Sequence, residues 1–263
     1  MSQKTDSILP NVIVVIPAAG VGSRMGASQP KQYLSLLGQT VLEHTVNKFL
    51  SLDCVQNVVI AISKTDPYFN QFPIASHPKV VVVDGGKERA DSVANAVNWA
   101  KGKRKDKGND WILVHDAARP CVDKRDVLNL IKQAQTSQRN AILGMPVKDT
   151  MKRTKKRSYS QDFIQSTGAS VAGEQIDHTV SRNQLWHAFT PQCCKLSELS
   201  SALTELTNDK GQLDGRVTDE ASALELCGFD VDIIESSPKN IKITVPDDLL
   251  LAEFYLKSEN NEH

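Results

Sequence analysis

The sequence predicts an open, mostly parallel, twisted α/β sheet with a projecting β-arm. Three observations predict it. Short β-branched apolar runs recur along the chain, segments of helical period lie between them, and the alternation stops at residue 148. Runs of this kind suit strands buried on both faces. Strands alternating with amphipathic helices form βαβ units with right-handed crossovers.

The first strand is Val12–Ile16, ended by Pro17, and similar runs follow at Val58–Ile62, Val80–Val83, Trp111–Val114 and Ala141–Val147. Ala90, Val93, Ala94 and Val97 fall at i, i+3, i+4 and i+7, as do Val127, Leu130, Ile131 and Ala134, so both segments are helical. From Lys148 the pattern breaks. Residues 152–157 hold five basic side chains, and the polar stretch Ser158–Asp177 follows. We read 150–190 as an arm or hairpin leaving the sheet, with Lys155–Arg157 as a solvated loop. Order then returns: Thr218-Asp-Glu-Ala starts a helix with a cap and early acids. Val231–Ile234 and Ile241–Val245 read as strands, and Pro246 opens the last helix. One domain is expected over 10–257, with 150–190 as its arm and flexible termini at 1–9 and 258–263.

Composition narrows the function. Lys plus Arg number 31 and Asp plus Glu number 31, so the formal net charge is zero. A general nucleic-acid or membrane-surface binder carries a basic excess, and aromatic residues for base stacking make up only 5% of the chain. The N-terminus is polar and has no secretory pattern, and no apolar run is long enough for a membrane helix. Five cysteines without C-x-x-C spacing point to free thiols in a reducing cytoplasm, with the neighbours Cys193 and Cys194 packed rather than redox-active.

Ligands of open α/β sheets sit beyond the carboxyl ends of the strands. Four segments therefore matter: Pro17–Lys31, Asp84–Ser92, His115–Pro120 and the stretch after Val147. In the first, the small residues of PAAGVGSRMG let backbone N–H groups approach a phosphate chain, and Arg24 and Lys31 add charge. It is not a Walker A loop, because Ala27 follows Gly26 where a Lys is needed. It is not a dinucleotide fingerprint either: Gly20, Gly22 and Gly26 are spaced one residue too long, and the second strand ends in Ser63 rather than an acid. In the second segment, Gly85 and Gly86 leave room for a flat ligand and Ser92 can meet a base edge; an ordinary βα turn explains the same residues. In the third, Asp116 suits Mg²⁺ or a ribose hydroxyl, and Arg119 suits a phosphate. An ion pair between those two side chains is the alternative reading. His115 reads as packed rather than catalytic.

Together PAAGVGSRMG…PKQY, GGKERADSV, VHDAARP, PVKDTMKR, HTVSRNQLWHAFTPQ, TDEASALE and NIKIT resemble the 2-C-methyl-D-erythritol 4-phosphate cytidylyltransferases, in order from about Val12 to Tyr255. The resemblance implies a Rossmann-like nucleotidyltransferase fold. It also implies transfer of CMP from CTP to methylerythritol phosphate, giving 4-diphosphocytidyl-2-C-methyl-D-erythritol and pyrophosphate for isoprenoid synthesis. It assigns Ala18, Ala19, Gly20 and Gly22 to the CTP pocket, Gly86 and Ser92 to cytosine, and Arg24 and Lys31 to the triphosphate and transition state. Asp116 falls where metal, ribose and acceptor meet, and Mg²⁺ is carried mainly by the CTP phosphates. Arg119, Thr150, Thr190, Thr218 and Lys242 are assigned to the acceptor side. The resemblance further implies a homodimer whose arms are exchanged, with Arg182 gripping the acceptor phosphate in the neighbouring subunit. The chain departs from the pattern twice. About twenty extra residues near 154–175 lengthen the arm tip, where insertions are tolerated. Lys87 stands where an acid is common, and no role is assigned to it.

Two other functions compete. A cytidylyltransferase for another polyol phosphate, such as ribitol 5-phosphate, would share the CTP half. A non-catalytic nucleotide-binding module would bind CTP without releasing pyrophosphate, although the joint presence of Arg24, Lys31, Asp116 and Lys242 argues against it.

Overall fold

A computed structural model describes residues 9, 11–20, 29–103, 110–156 and 174–261. In chain order it holds β1 (Val12–Pro17), the small strands β2 (Ser35–Leu36) and β3 (Gln39–Thr40), α1 (Val41–Leu50), β4 (Val55–Ile62) and β5 (Val80–Asp84). Then come α2 (Arg89–Lys103), β6 (Trp111–Val114), α3 (Lys124–Ser137), β7 (Asn140–Pro146), β8 (Met151–Lys156) and β9 (Glu174–Val180). The chain closes with β10 (Trp186–Lys195), α4 (Leu196–Glu205), α5 (Glu220–Leu226), β11 (Val231–Glu235) and α6 (Pro246–Asn261). It divides into two compact units, residues 1–144 with 188–263, and Met145–His187.

The main sheet has the order β11-β7-β10-β6-β1-β4-β5. β1 pairs parallel with β4 and β6, β4 with β5, and β11 with β7, whereas β10 runs antiparallel to β6. The alternation of side chains along a strand explains why β1 is apolar throughout. Val12, Val14 and Ile16 pack on one face with Leu42, Val46, Phe49 and Leu130 of α1 and α3. Ile13 and Val15 pack on the other with Val93 and Val97 of α2 and Leu199 of α4. Each such side chain contributes about 1.5–3 kcal/mol by leaving water, so neither face can be exchanged for a solvated one. α6 closes a third cluster, in which Ala252 and Leu256 meet Val41, Cys121 and Ile243.

Parallel register sets the strand ends side by side: Pro17 faces Ala61, Ile62 faces Asp84, and Val15 faces Val114. The chain leaving each strand therefore emerges on one edge, and hydrogen bonds join the exits. Ala18 N–H donates to Ala61 O at 2.8 Å, Gly85 N–H to Ile62 O at 2.6 Å, and His115 N–H to Val15 O at 2.9 Å.

Two expectations need correction, and one strand was not foreseen. The segment Ile241–Val245 is irregular, not a strand. Its backbone donors go elsewhere: Ile243 N–H bonds Ala118 O at 2.8 Å, and Thr244 and Val245 N–H bond the Asp248 carboxylate at 2.6 and 2.9 Å. β10 enters the sheet unannounced by the sequence. The last helix continues to Asn261, past the boundary expected at 257.

In the smaller unit β8 and β9 form an antiparallel ribbon, Lys152 facing Thr179, with nearly every residue exposed. Lys155 and Lys156 thus lie on a solvated strand rather than in a loop. Lys152 Nζ bonds Thr179 Oγ1 at 2.7 Å, and Lys155 pairs with Asp177 at 3.3 Å. Arg157 and most of the insertion at 154–175 lie outside the described residues, as do residues 1–8 and 262–263 of the termini.

Candidate active site

A cleft of about 300 Å³ opens at the carboxyl ends of β1, β5 and β6. Ala18, Ala19 and Gly20 line it after β1, Gly86–Arg89 and Ser92 after β5, and Asp116–Ala118 after β6, with Lys31 and Lys242 completing the wall. Gly22 and Arg24, both expected at the nucleotide, lie outside the described residues.

The first wall is held by Gln32, whose buried amide donates to Ala18 O at 2.7 Å and Gly20 O at 3.0 Å. That side chain sits in a single 3-10 turn, Lys31–Tyr33, and so fixes where Lys31 starts. Lys31 Nζ donates to Ile243 O at 2.9 Å, tying the turn to the irregular 241–245 segment. The second wall is tight. A Cβ on Gly85 would stand 2.3 Å from Ala19 Cβ, and one on Gly86 would stand 2.1 Å from Asp91 Cβ. Ser92 Oγ accepts from Gly86 N–H at 3.0 Å and donates to Glu88 O at 3.2 Å, so this hydroxyl shapes the turn as well as facing the cleft.

Asp116 is the electrostatic centre. Its Oδ1 accepts from Arg89 Nε at 2.9 Å, and its Oδ2 lies 2.8 Å from Lys242 Nζ and 3.4 Å from Arg119 Nε. Burial would raise its pKa, but Arg89, Lys242 and Arg119 outweigh burial and hold it well below the usual carboxylate range. Arg89 in turn grips Glu220 through a fork of 2.7 and 3.0 Å. Burial works against its charge as well, but Glu220 and Asp116 push its pKa further up.

Behind Asp116 lies a network without exchangeable charge. His115 Nε2 is 3.1 Å from Arg119 O, an atom that can only accept, so Nε2 carries the hydrogen. Its Nδ1 then accepts from Thr190 Oγ1 at 3.1 Å, and Thr190 Oγ1 accepts from Asp116 N–H at 3.1 Å. Burial pulls the His115 pKa down to about 4, so the ring is neutral at pH 7. The expectation that His115 is packed rather than catalytic fits this geometry. Thr190 is placed in the same network, its hydroxyl committed to Asp116 and His115.

Arg119 is held by contacts within the fold. Its guanidinium donates to Asn240 O at 2.7 Å and to Asp116, and it lies 5.0 Å over the Phe189 ring. It is buried and is not among the residues that line the cleft. Its ion pair with Asp116 measures 3.4 Å. Thr218 is exposed at the entry to α5, its N–H bonding Ser222 Oγ at 2.9 Å, and it is not among the residues that line the cleft. Thr150 and Arg182 belong to the smaller unit, where both are exposed and Arg182 Nη1 donates to Lys148 O.

Arg89 and Glu220 were missed in the sequence. Arg89 sat inside the GGKERADS cluster without a partner to single it out, and Glu220 passed as an ordinary acid in a helix's first turn. Among the described residues no group of three or more metal-ligating side chains occurs. The cleft offers the carboxylates Asp116 and Glu88 among several cations. That donor set fits a magnesium ion brought in on a phosphate chain, which needs only one or two carboxylates.

The family model for 2-C-methyl-D-erythritol 4-phosphate cytidylyltransferase matches residues 12–258. The chain belongs to this family. A 2-C-methyl-D-erythritol 4-phosphate cytidylyltransferase of Vibrio vulnificus is 45% identical over 95% of this chain and 97% of its own. One of Alteromonas mediterranea is 49% identical over 95% and 94%. Among solved structures, the Francisella tularensis 2-C-methyl-D-erythritol 4-phosphate cytidylyltransferase is 35% identical, with a TM-score of 0.72 over 93% of this chain and 99% of that one. A 4-diphosphocytidyl-2C-methyl-D-erythritol synthase is 32% identical, with a TM-score of 0.74 over 95% and 100%. The protein is thus a CTP-dependent cytidylyltransferase of the non-mevalonate isoprenoid route.

Proposed function

We propose that the cleft at the ends of β1, β5 and β6 is where CMP passes from CTP to 2-C-methyl-D-erythritol 4-phosphate. The observation that carries this reading is the convergence of Lys31, Asp116 and Lys242, far apart in sequence, on one glycine-floored cleft. Gly85 and Gly86 leave room for cytosine, and Ala18–Gly20 bring small residues to the phosphates.

An oxygen of the acceptor phosphate attacks the α-phosphorus of CTP. The new P–O bond forms as the bond to the β-phosphate breaks, and pyrophosphate leaves with the electron pair. A phosphate monoester is already anionic near neutral pH, so no general base is required, in keeping with a neutral, buried His115. The difficulty lies in aligning two polyanions and stabilising the charge that builds on the α-phosphate. Lys31 and Lys242 supply that stabilisation, joined by Arg24 of the same loop. Magnesium, held by the CTP phosphates with Asp116 as protein ligand, would add further charge neutralisation. Arg182 of the partner subunit grips the acceptor phosphate in an arm-exchanged homodimer, and Thr150 lies on the acceptor side. A cytoplasmic setting is the reading made from cysteine spacing in the sequence; all five cysteines are free, and among the described residues no helix is long and apolar enough to cross a membrane.

The test is pyrophosphate release with Mg²⁺, each of the four nucleoside triphosphates, and methylerythritol phosphate or ribitol 5-phosphate. Release with CTP and methylerythritol phosphate alone is expected. Turnover with ribitol 5-phosphate instead would overturn the acceptor, and binding of CTP without release would leave a nucleotide-binding module.

A further inference from the structure

We infer that Arg89 is a positioning residue for the transfer: it keeps Asp116 in place while Lys242 moves from that carboxylate to the nucleotide. The inference rests on the cytidylyl-transfer reading above.

The three cations around Asp116 differ in their freedom. Among the described residues Lys242 Nζ makes a single contact, of 2.8 Å, its side chain is 42% exposed, and it stands in an irregular segment. An ammonium on a flexible stem can turn to a new anion at small cost. Arg119 is buried, committed to Asn240 O and the Phe189 ring, and only 3.4 Å from Asp116. Arg89 is different again. Its two terminal nitrogens are taken by Glu220, which is 3% exposed, and its Nε is left to meet Asp116 Oδ1 at 2.9 Å. A planar guanidinium held along one edge presents its remaining N–H in a fixed direction.

The carboxylate is therefore gripped on one oxygen by a group that cannot follow the substrate, and on the other by one that can. As the negative charge of CTP arrives, Lys242 can be drawn to the α-phosphate while Oδ1 stays pinned. Oδ2 is then free to face the ribose or a phosphate-borne metal. Without Arg89, Asp116 would swing with Lys242, and the ammonium would stay engaged with the carboxylate instead of the reacting phosphate. Glu220 belongs to this device because it locks the fork, which places the start of α5 behind the site.

The experiment is a double-mutant cycle on single-turnover rates with CTP and methylerythritol phosphate. Arg89→Gln should lower the rate constant about tenfold, the scale of a hydrogen bond to a charged group, with the KM for CTP changed less than about threefold. In an Asp116→Ala background the same change should cost less than about twofold, since Arg89 then has no acceptor to hold. Arg89→Gln strands Glu220, so Arg89→Gln/Glu220→Gln is measured alongside. It should regain Tm without regaining rate. Equal losses in both backgrounds, a loss confined to KM, or recovery of rate together with Tm would each overturn the positioning role. The wild-type rate separates the two claims: turnover with an additive cycle overturns the role alone, whereas no wild-type turnover overturns the functional reading and this inference with it.

Discussion

Lys31 and Lys242 reach the cleft from opposite ends of the chain, and each holds a structural contact, Ile243 O for Lys31 at 2.9 Å and Asp116 for Lys242 at 2.8 Å, that a phosphate can compete with. Losing one such donor typically costs about 10²–10³ in rate. Lys31→Ala and Lys242→Ala should each lower kcat by that order with Tm little changed, as initial rates of pyrophosphate release and thermal melts will show. His115 makes the opposite kind of prediction. Its pKa is about 4 when folded and about 6.5 in an unfolded chain. Above pH 6.5 the ring is neutral in both states, and its contribution is complete. Between those values only the unfolded chain takes up the proton, so stability should fall as pH drops through the window, by on the order of 3 kcal/mol at most. Urea melts at pH 7, 6 and 5 test this. His115→Gln, which keeps a donor and an acceptor but does not titrate there, should flatten the slope. Asp116 has the same sign but acts at lower pH, since its folded pKa is depressed below the ordinary carboxylate value. Sequence reading singled out Asp116 and Lys31 because their segments follow strands, and Lys242 only through the family resemblance of its NIKIT motif. It missed Arg89 and Glu220 because their meaning is a contact across 131 positions.

The elements that were legible are those whose burial is decided locally. β1, β4, β5, β6 and β7 are runs of β-branched and apolar residues, and the strands at the sheet's centre are buried on both faces. β10 was not legible, since half of it is exposed or intermediate and only its last residues pair with β6, Gln192 facing Val114. Ile241–Val245 has the composition of a strand, but its donors are taken by Ala118 O and the Asp248 side chain, so no ladder forms. The junction of β1, β4 and β5 offers a test at this scale. Gly85→Ala would drive a methyl to 2.3 Å from Ala19 Cβ and 3.1 Å from Ile62 O, both on neighbouring strand exits. Overpacking of this sort costs about 1–3 kcal/mol, so its Tm should fall and its KM for CTP should rise, because the shifted backbone is the cleft wall. Gly20→Ala meets nothing within 4 Å among the described residues. It should leave Tm unchanged, so any loss in CTP affinity, read by calorimetry, reports on the nucleotide rather than on folding.

At the scale of the whole molecule, zero formal charge conceals a cleft wall that carries Lys31, Lys87, Arg89 and Lys242 against Asp116 and Glu88. Composition excluded a general polyanion binder but was blind to this local excess. The smaller unit, Met145–His187, begins close to where the sequence pattern breaks, and a partner for it came only from the family resemblance. A two-stranded ribbon is marginal by itself in water, and β8 and β9 expose nearly all of their residues, Ile176 to 58%. A second copy of the chain covering that ribbon would remove the difficulty, which is the arrangement proposed for Arg182. The proposal can be decided by mixing two inactive proteins. In a heterodimer of Lys31→Ala with Arg182→Ala, exchanged arms give one site its own intact Lys31 together with an intact Arg182 from the other subunit. The second site carries both defects. Random reassortment of a two-fold dimer should then restore roughly a quarter of wild-type activity, since half the dimers are mixed and each has one good site. If each arm served its own subunit, every site in the mixture would hold one defect, and mixing would add nothing to the separate rates. The assay therefore separates arm exchange from simple association, which sedimentation alone would not.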